Sequence, residues 1–201
     1  MSAGDFLGEP APSPAAARLF DVDRAEMGYE MNVTRLWAHQ PDLFTHLFEL
    51  VGDAARMAGL DLRRRGILVA ACASTIGDAY CALAWGAKLA AASDPDTAAA
   101  VLRGDDQGLN PAERVLAEWA RAVARDPNAT SAADVQRLRD AGFTDPEILA
   151  ITLFVGLRMA FSSVNDALGA APDPALRSTA PSAVLDAVTY GRPIAGTASD
   201  G

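Results

Sequence analysis

The sequence predicts an all-α protein, a single compact helical bundle between two short arms. Three observations carry this. Apolar side chains recur at spacings of three and four residues through most of the chain. Prolines sit where first helical positions fall, at Pro41, Pro95 and Pro111. Strand signals are scarce, because β-branched runs are short and strict alternation is absent. The chain has 201 residues, half of them apolar, which suits one domain with a sizeable core. Residues 1–15 read as a flexible arm, 16–189 as the helical domain and 190–201 as a flexible tail.

The first firm helix begins at Pro41, carries Leu43, Phe44, Leu47, Phe48, Leu50 and Val51 at helical spacing, and closes at Gly59. Asp61 can cap the next, which presents Ile67, Leu68 and Ala71. Gly77 and Asp78 interrupt it, and a further helix runs to about Ala92. Asp94–Pro95 starts a short helix ending near Gly104, and Asn110–Pro111 starts one through Val123. Thr130 or Ser131 caps another that stops at Gly142. A long apolar helix follows from about Ile148 to Leu168, and a last one covers Ser182–Val188. Gly59-Leu60-Asp61 is echoed by Gly108-Leu109-Asn110, with Arg65, Ile67 and Ala71 matched at the same offset by Arg114, Leu116 and Ala120. Alanine-rich helix faces, as in Ala87–Ala92, favour close packing and lead us to expect a homo-oligomer.

Composition excludes several functions. Seventeen basic residues against 26 acidic ones give a net charge of −9, which argues against nucleic acid as a partner. Two Cys (Cys72, Cys81) and two His (His39, His46) leave no disulfide framework and no metal site built on three such ligands, and no cofactor motif is present. The amino-terminal residues are acidic and proline-rich, without a basic region followed by an apolar core. The longest unbroken apolar stretches, such as Ile67–Ala73, fall well short of about 18 residues, so no membrane association and a reducing cytoplasmic setting are expected. His39 and His46 flank Pro41 and read as surface residues. Arg63-Arg64-Arg65 reads as a solvated face or an interface salt bridge rather than a phosphate site.

The chemically informative stretch is Ser74–Gly86. Asp78 is a good N-cap, which puts Cys81 at the third helical position. There the helix dipole and free N–H groups favour an anion and can lower a thiol pKa, while the Asp78 carboxylate opposes this. Asp78, Cys81 and Trp85 fall on one helix face. Tyr80 points about 160° away from Asp78, and Ser74 lies just before the break. Arg158 stands inside an otherwise apolar helix and calls for a partner, an interface or a pocket.

These residues carry a resemblance. Arg63–Val69, Ser74, Tyr80-Cys81 and Gly86, followed by Leu109–Ala120, Asp134-Val135, Leu138-Arg139, Ala141-Gly142-Phe143 and Glu147-Ile148, resemble the carboxymuconolactone decarboxylase family, whose superfamily includes the alkylhydroperoxidase D-like proteins. The match spans roughly residues 28–172. It implies a helical bundle of the alkylhydroperoxidase D-like type, assembled as trimers or hexamers. The peroxidase branch uses a Glu, a Cys-x-His-Cys motif and a later His. By the resemblance these fall on Gly66, Asp78, Tyr80, Cys81 and Trp85, so only the second cysteine is kept. Cys72 lies nine residues upstream, about 13–14 Å away on one continuous helix and out of disulfide range.

Three readings follow. The first is a one-Cys thiol peroxidase or oxidoreductase, with Cys81 and Asp78 as catalytic residues, Trp85, Tyr80, Ser74 and Arg158 around the pocket, and an external thiol as reductant. The second is a thiol-independent enzyme on a small organic acid or lactone, with Asp78 as base and Arg158 on a carboxylate. The third is a non-catalytic helical oligomer.

Overall fold

The computed structural model describes residues 6–196, and all regular structure among them is helical. The helices are α1 (Pro14–Met27), α2 (Asn32–Trp37), α3 (Pro41–Met57), α4 (Leu62–Ile76), α5 (Ala79–Ala92), α6 (Pro95–Arg103), α7 (Pro111–Arg125), α8 (Ala132–Asp140), α9 (Asp145–Ala167), α10 (Leu176–Thr179) and α11 (Ser182–Ala187). A single 3-10 turn spans Pro127–Ala129.

Local capping explains most of the boundaries. The Asp61 side chain accepts from the Arg64 N–H at 2.8 Å, and Asp94 accepts from Thr97 at the same distance. Asn110 and Glu113 form a reciprocal capping box, as do Ser131 and Asp134. Caps of this kind are worth about 1 kcal/mol each. Thr144 and Glu147 bond one another, so α9 starts at Asp145 rather than Ile148. Ser13 caps α1 and Pro14 opens it, which brings the helix into the expected amino-terminal arm. Helices α2 and α10 are too short for their periodicity to be read in sequence.

Helix α4 forms the centre. Every residue from Gly66 to Ala73 is buried, and α5, α6, α7 and α9 all pack on it. The small side chains allow this. A Cβ on Gly66 would lie 3.0 Å from the Leu89 Cβ, so α4 and α5 approach almost backbone to backbone. Gly66 is also where the resemblance puts a glutamate, and a side chain there would crowd Leu89. The echoed segments start two 15-residue helices, α4 and α7, that pack against each other. Their first turns are joined by an ion pair between Arg63 and Glu113 at 2.7 Å, so the basic run has an intramolecular partner.

Helix α9 crosses α3, α4 and α7. At 23 residues, with a mean hydropathy of 1.6 over its most apolar 18, it is long and apolar enough to cross a membrane by length and composition. An unbroken-stretch criterion misses it because Thr152, Gly156, Arg158 and Ser162 interrupt the run, and that arginine is buried within the protein.

The described ends are bonded to the bundle. Phe6 N–H donates to the Leu168 carbonyl at 2.8 Å. Arg177 donates to the carbonyls of Ile194 and Ala195, and Ala195 N–H donates to the Pro172 carbonyl. Residues 6–13 and 190–196 are irregular and hydrogen-bonded to the bundle at these points. The outermost parts of the expected arm and tail, 1–5 and 197–201, lie outside the described residues.

Candidate active site

Gly77 ends α4 in the left-handed region, with φ +79° and its N–H donating to the Ala73 carbonyl. The chain reverses there and Asp78 starts α5. Asp78 is fully buried, and its Oδ1 accepts from the Cys81 N–H at 3.0 Å. Cys81 is thus held at the third position of α5, facing α9. Two α9 side chains one turn apart reach its sulfur. Arg158 Nη2 lies 3.2 Å from Sγ, and the Ser162 hydroxyl donates to Sγ at 3.7 Å.

The electrostatics run against the simple helix-terminus expectation. Burial pushes the Cys81 thiol up to about 12. The Arg158 charge and the Ser162 hydroxyl pull it down, while the Asp78 charge and a side-chain hydrogen bond to Asp78 push it up. At neutral pH the group is a thiol, because desolvation outweighs the local donors. The sulfur lies between a carboxylate that holds its proton and a guanidinium that favours its anion.

A cavity of about 160 Å³ opens beside Cys81. Its walls are mostly rings: Phe44 and Phe48 from α3, Tyr80 and Trp85 from α5, and Phe161 from α9. Trp37 backs them, stacking on Phe161 at 5.6 Å while its indole N–H donates to Asn165 at 2.7 Å. The Arg158 guanidinium lies 5.0 Å from the Phe161 ring centre, 5.4 Å from Trp85 and 5.8 Å from Phe48. Arg158 is 3% exposed and forms no ion pair among the described residues, and its Nε has no partner. The aromatic faces take the place of a carboxylate. Lys88 stands at the mouth, its ammonium 5.0 Å from the Trp85 ring centre. Loss of surrounding water, and then the Arg158 charge, lower its pKa.

Cys81, Trp85, Tyr80 and Arg158 line this cavity together. Two candidates do not. Ser74 donates to the Ala71 carbonyl within α4 and lies beside Tyr190, away from the rings. Asp78 contacts the thiol from behind the cavity wall, its Oδ2 unpartnered. A position next to the helix break did not bring either residue into the cavity, because the chain reversal turns both toward the 190s segment. Tyr80 contributes its ring only. Its hydroxyl accepts from the Val33 N–H and donates to Asp173. Cys72 is buried, unpaired and outside the cavity, with its thiol also pushed up to about 12 by burial. His39 and His46 are exposed. Among the described residues no cluster of three His, Cys, Asp or Glu is placed to hold a metal ion.

Sequence reasoning missed Lys88, Ser162 and the three phenylalanines. The first two had a signal. Lys88 is three residues beyond Trp85 on the same helix, and Ser162 follows Arg158 by four. The phenylalanines had none, since helical spacing marks them only as core.

No protein-family model matches the sequence, and no curated protein does. Solved structures match the fold. One is an alkylhydroperoxidase AhpD core, an uncharacterized peroxidase-related protein from Ralstonia eutropha JMP134, at 23% identity and TM-score 0.74, covering 86% of this chain and 94% of that one. Another is a peroxidase-related protein from Silicibacter sp. TM1040, at 21% identity and TM-score 0.76, covering 89% and 96%. A third is the debrominase Bmp8, as a cysteine-to-alanine variant in complex with 2,3,4-tribromopyrrole, at 16% identity and TM-score 0.70, covering 90% and 97%. The chain has the AhpD-like all-α fold.

Proposed function

We propose that this protein is a thiol-dependent oxidoreductase of the alkylhydroperoxidase D-like type, in which Cys81 reduces a small organic hydroperoxide. One observation carries the reading: the one thiol lining the cavity touches a buried arginine that has no carboxylate partner. Sγ attacks the terminal peroxide oxygen. An S–O bond forms as the O–O bond breaks, and the sulfur gives up two electrons. The thiol proton ends on the departing alkoxide, leaving Cys81 sulfenic acid and an alcohol. Arg158 stabilises negative charge on the sulfur and on the departing oxygen. Asp78 is the proposed carrier of the proton, since its carboxylate engages the thiol. With no second thiol in the cavity, an external thiol condenses with the sulfenic acid, releasing water. A second equivalent frees Cys81 and leaves as the mixed partner's disulfide.

The test is thiol-dependent consumption of cumene hydroperoxide by the wild type and by Cys81→Ser. Turnover that falls by about a hundredfold or more in the variant supports the reading. Equal turnover in both, or a folded protein whose Cys81 stays unmodified under hydroperoxide, overturns it.

The ring-lined walls favour a second reading, thiol-dependent removal of halogen from a small aromatic ring. The likeness to the tribromopyrrole complex supports it. Bromide release from a bromopyrrole in the presence of excess thiol, lost in Cys81→Ser, distinguishes it from peroxide reduction.

A further inference from the structure

Lys88 is the only lysine in a chain with 17 basic residues, so 16 are arginine. It stands at the mouth of the Cys81 cavity, and no ion pair or hydrogen bond holds it among the described residues. Its ammonium stands over the face of Trp85, 5.0 Å from the ring centre. A surface lysine in a chain of net charge −9 has many carboxylates available as partners, and this one has none. Glu26, which lines the adjoining cavity together with Lys88, attracts its charge but forms no ion pair with it.

The cavity itself contains two cations, Lys88 and Arg158, and no acidic side chain in its lining. Asp78 offsets part of the Arg158 charge from behind the sulfur, and the Glu26 charge reaches Lys88 only from the adjoining cavity. The remaining walls are apolar and mostly aromatic. At about 160 Å³ the space is smaller than the usual range for drug-sized ligands. A positive charge with no ion-pair partner among the described residues, at the rim of a small, flat-walled apolar chamber, complements one kind of ligand: a compact apolar body with a single negative charge at its outer end.

We propose that the Cys81 cavity selects small apolar organic anions, an aromatic or branched carboxylate, with the carboxylate at Lys88 and the apolar body against Trp85, Phe161 and Phe48. This rests on the Cys81 cavity being the substrate site. It defines the substrate class for that chemistry: an acid-bearing hydroperoxide or ring, rather than a neutral one. Lysine suits the role better than arginine at this rim. Its compact ammonium is a point charge on a flexible stem that can follow the ligand inward, whereas a guanidinium would stack flat on Trp85.

The test uses benzoate and its uncharged isostere benzamide as probes, titrated by calorimetry into Cys81→Ser protein so that no redox step intervenes. Benzoate binding about tenfold or more tighter than benzamide is expected. Lys88→Met removes that preference, and Lys88→Arg keeps part of it. Because Lys88 is exposed, these variants are expected to retain the wild-type circular dichroism. In the wild type, benzoate should also protect Lys88 from a lysine-directed reagent, read by mass spectrometry, which the single lysine makes unambiguous. Equal affinity for the two probes, undetectable benzoate binding, or a preference that survives Lys88→Met overturns the proposal. Because binding is measured without the thiol, a failed anion preference leaves the Cys81 chemistry standing. An unreactive Cys81 likewise leaves the anion preference standing.

Discussion

Two arginines, one half-buried and one buried, sit in opposite surroundings. Arg121, on α7, donates to both carboxylate oxygens of Asp106 at 2.7 Å and to the Val101 carbonyl at 2.9 Å. It ties the α6–α7 connection to the bundle, and its charge is cancelled where it stands. Arg158, on α9, has no carboxylate at ion-pair distance and instead faces a sulfur and three rings. The first arrangement engages both terminal nitrogens of the guanidinium with protein acceptors. The second leaves charge uncompensated in an apolar chamber, which is costly unless it is used. The comparison separates a residue that holds the fold from one that conditions a thiol.

The largest effect should come from breaking the first arrangement. Arg121→Met leaves Asp106 buried without a counter-charge, and the side chains of the pair are only 13% and 8% exposed. A loss of about 3–5 kcal/mol in urea unfolding is expected, with thiol reactivity of the folded protein unchanged. A cost under about 1 kcal/mol would mean that the pair contributes no more than a surface bridge does.

Arg158→Met should show the reverse pattern. Without the nearby positive charge the Cys81 thiol moves further up, so alkylation by iodoacetamide at pH 8 should slow by about tenfold or more. Stability should change by only about 1–2 kcal/mol, since the lost contacts are ring faces rather than a buried acid. Alkylation at the wild-type rate would remove Arg158 from the thiol's chemistry.

The smallest change sharpens the sign. Asp78→Asn keeps an N-cap acceptor but removes the charge that holds the proton on sulfur. The thiol moves down, and alkylation at pH 8 should rise severalfold with little loss of stability. Slower alkylation would show that Asp78 assists proton removal more than it opposes thiolate formation.

Much of this was legible in the chain. Asp61, Asp78, Asp94, Asn110 and Ser131 marked helix starts because capping is a local bond between a side chain and the backbone two or three residues on. The same logic put Cys81 at the third position of its helix. Helix α1 starts at Pro14, inside the segment read as an arm, because Ser13–Pro14 carries that same cap-and-proline signal.

The sequence by itself determined the all-helical class, the break at Gly77 and the position of the thiol on its helix, all set by interactions spanning a few residues. The tertiary structure decided that Arg158 and Ser162 meet Cys81 across 77 and 81 residues of chain, that rings from α3, α5 and α9 enclose one chamber, and that Lys88 guards it while Ser74 turns away. It also decided the direction of the thiol's pKa. A helix amino terminus lowers it by a local field, but burial raises it by removing water, and how much water is removed depends on which distant helices pack over the sulfur.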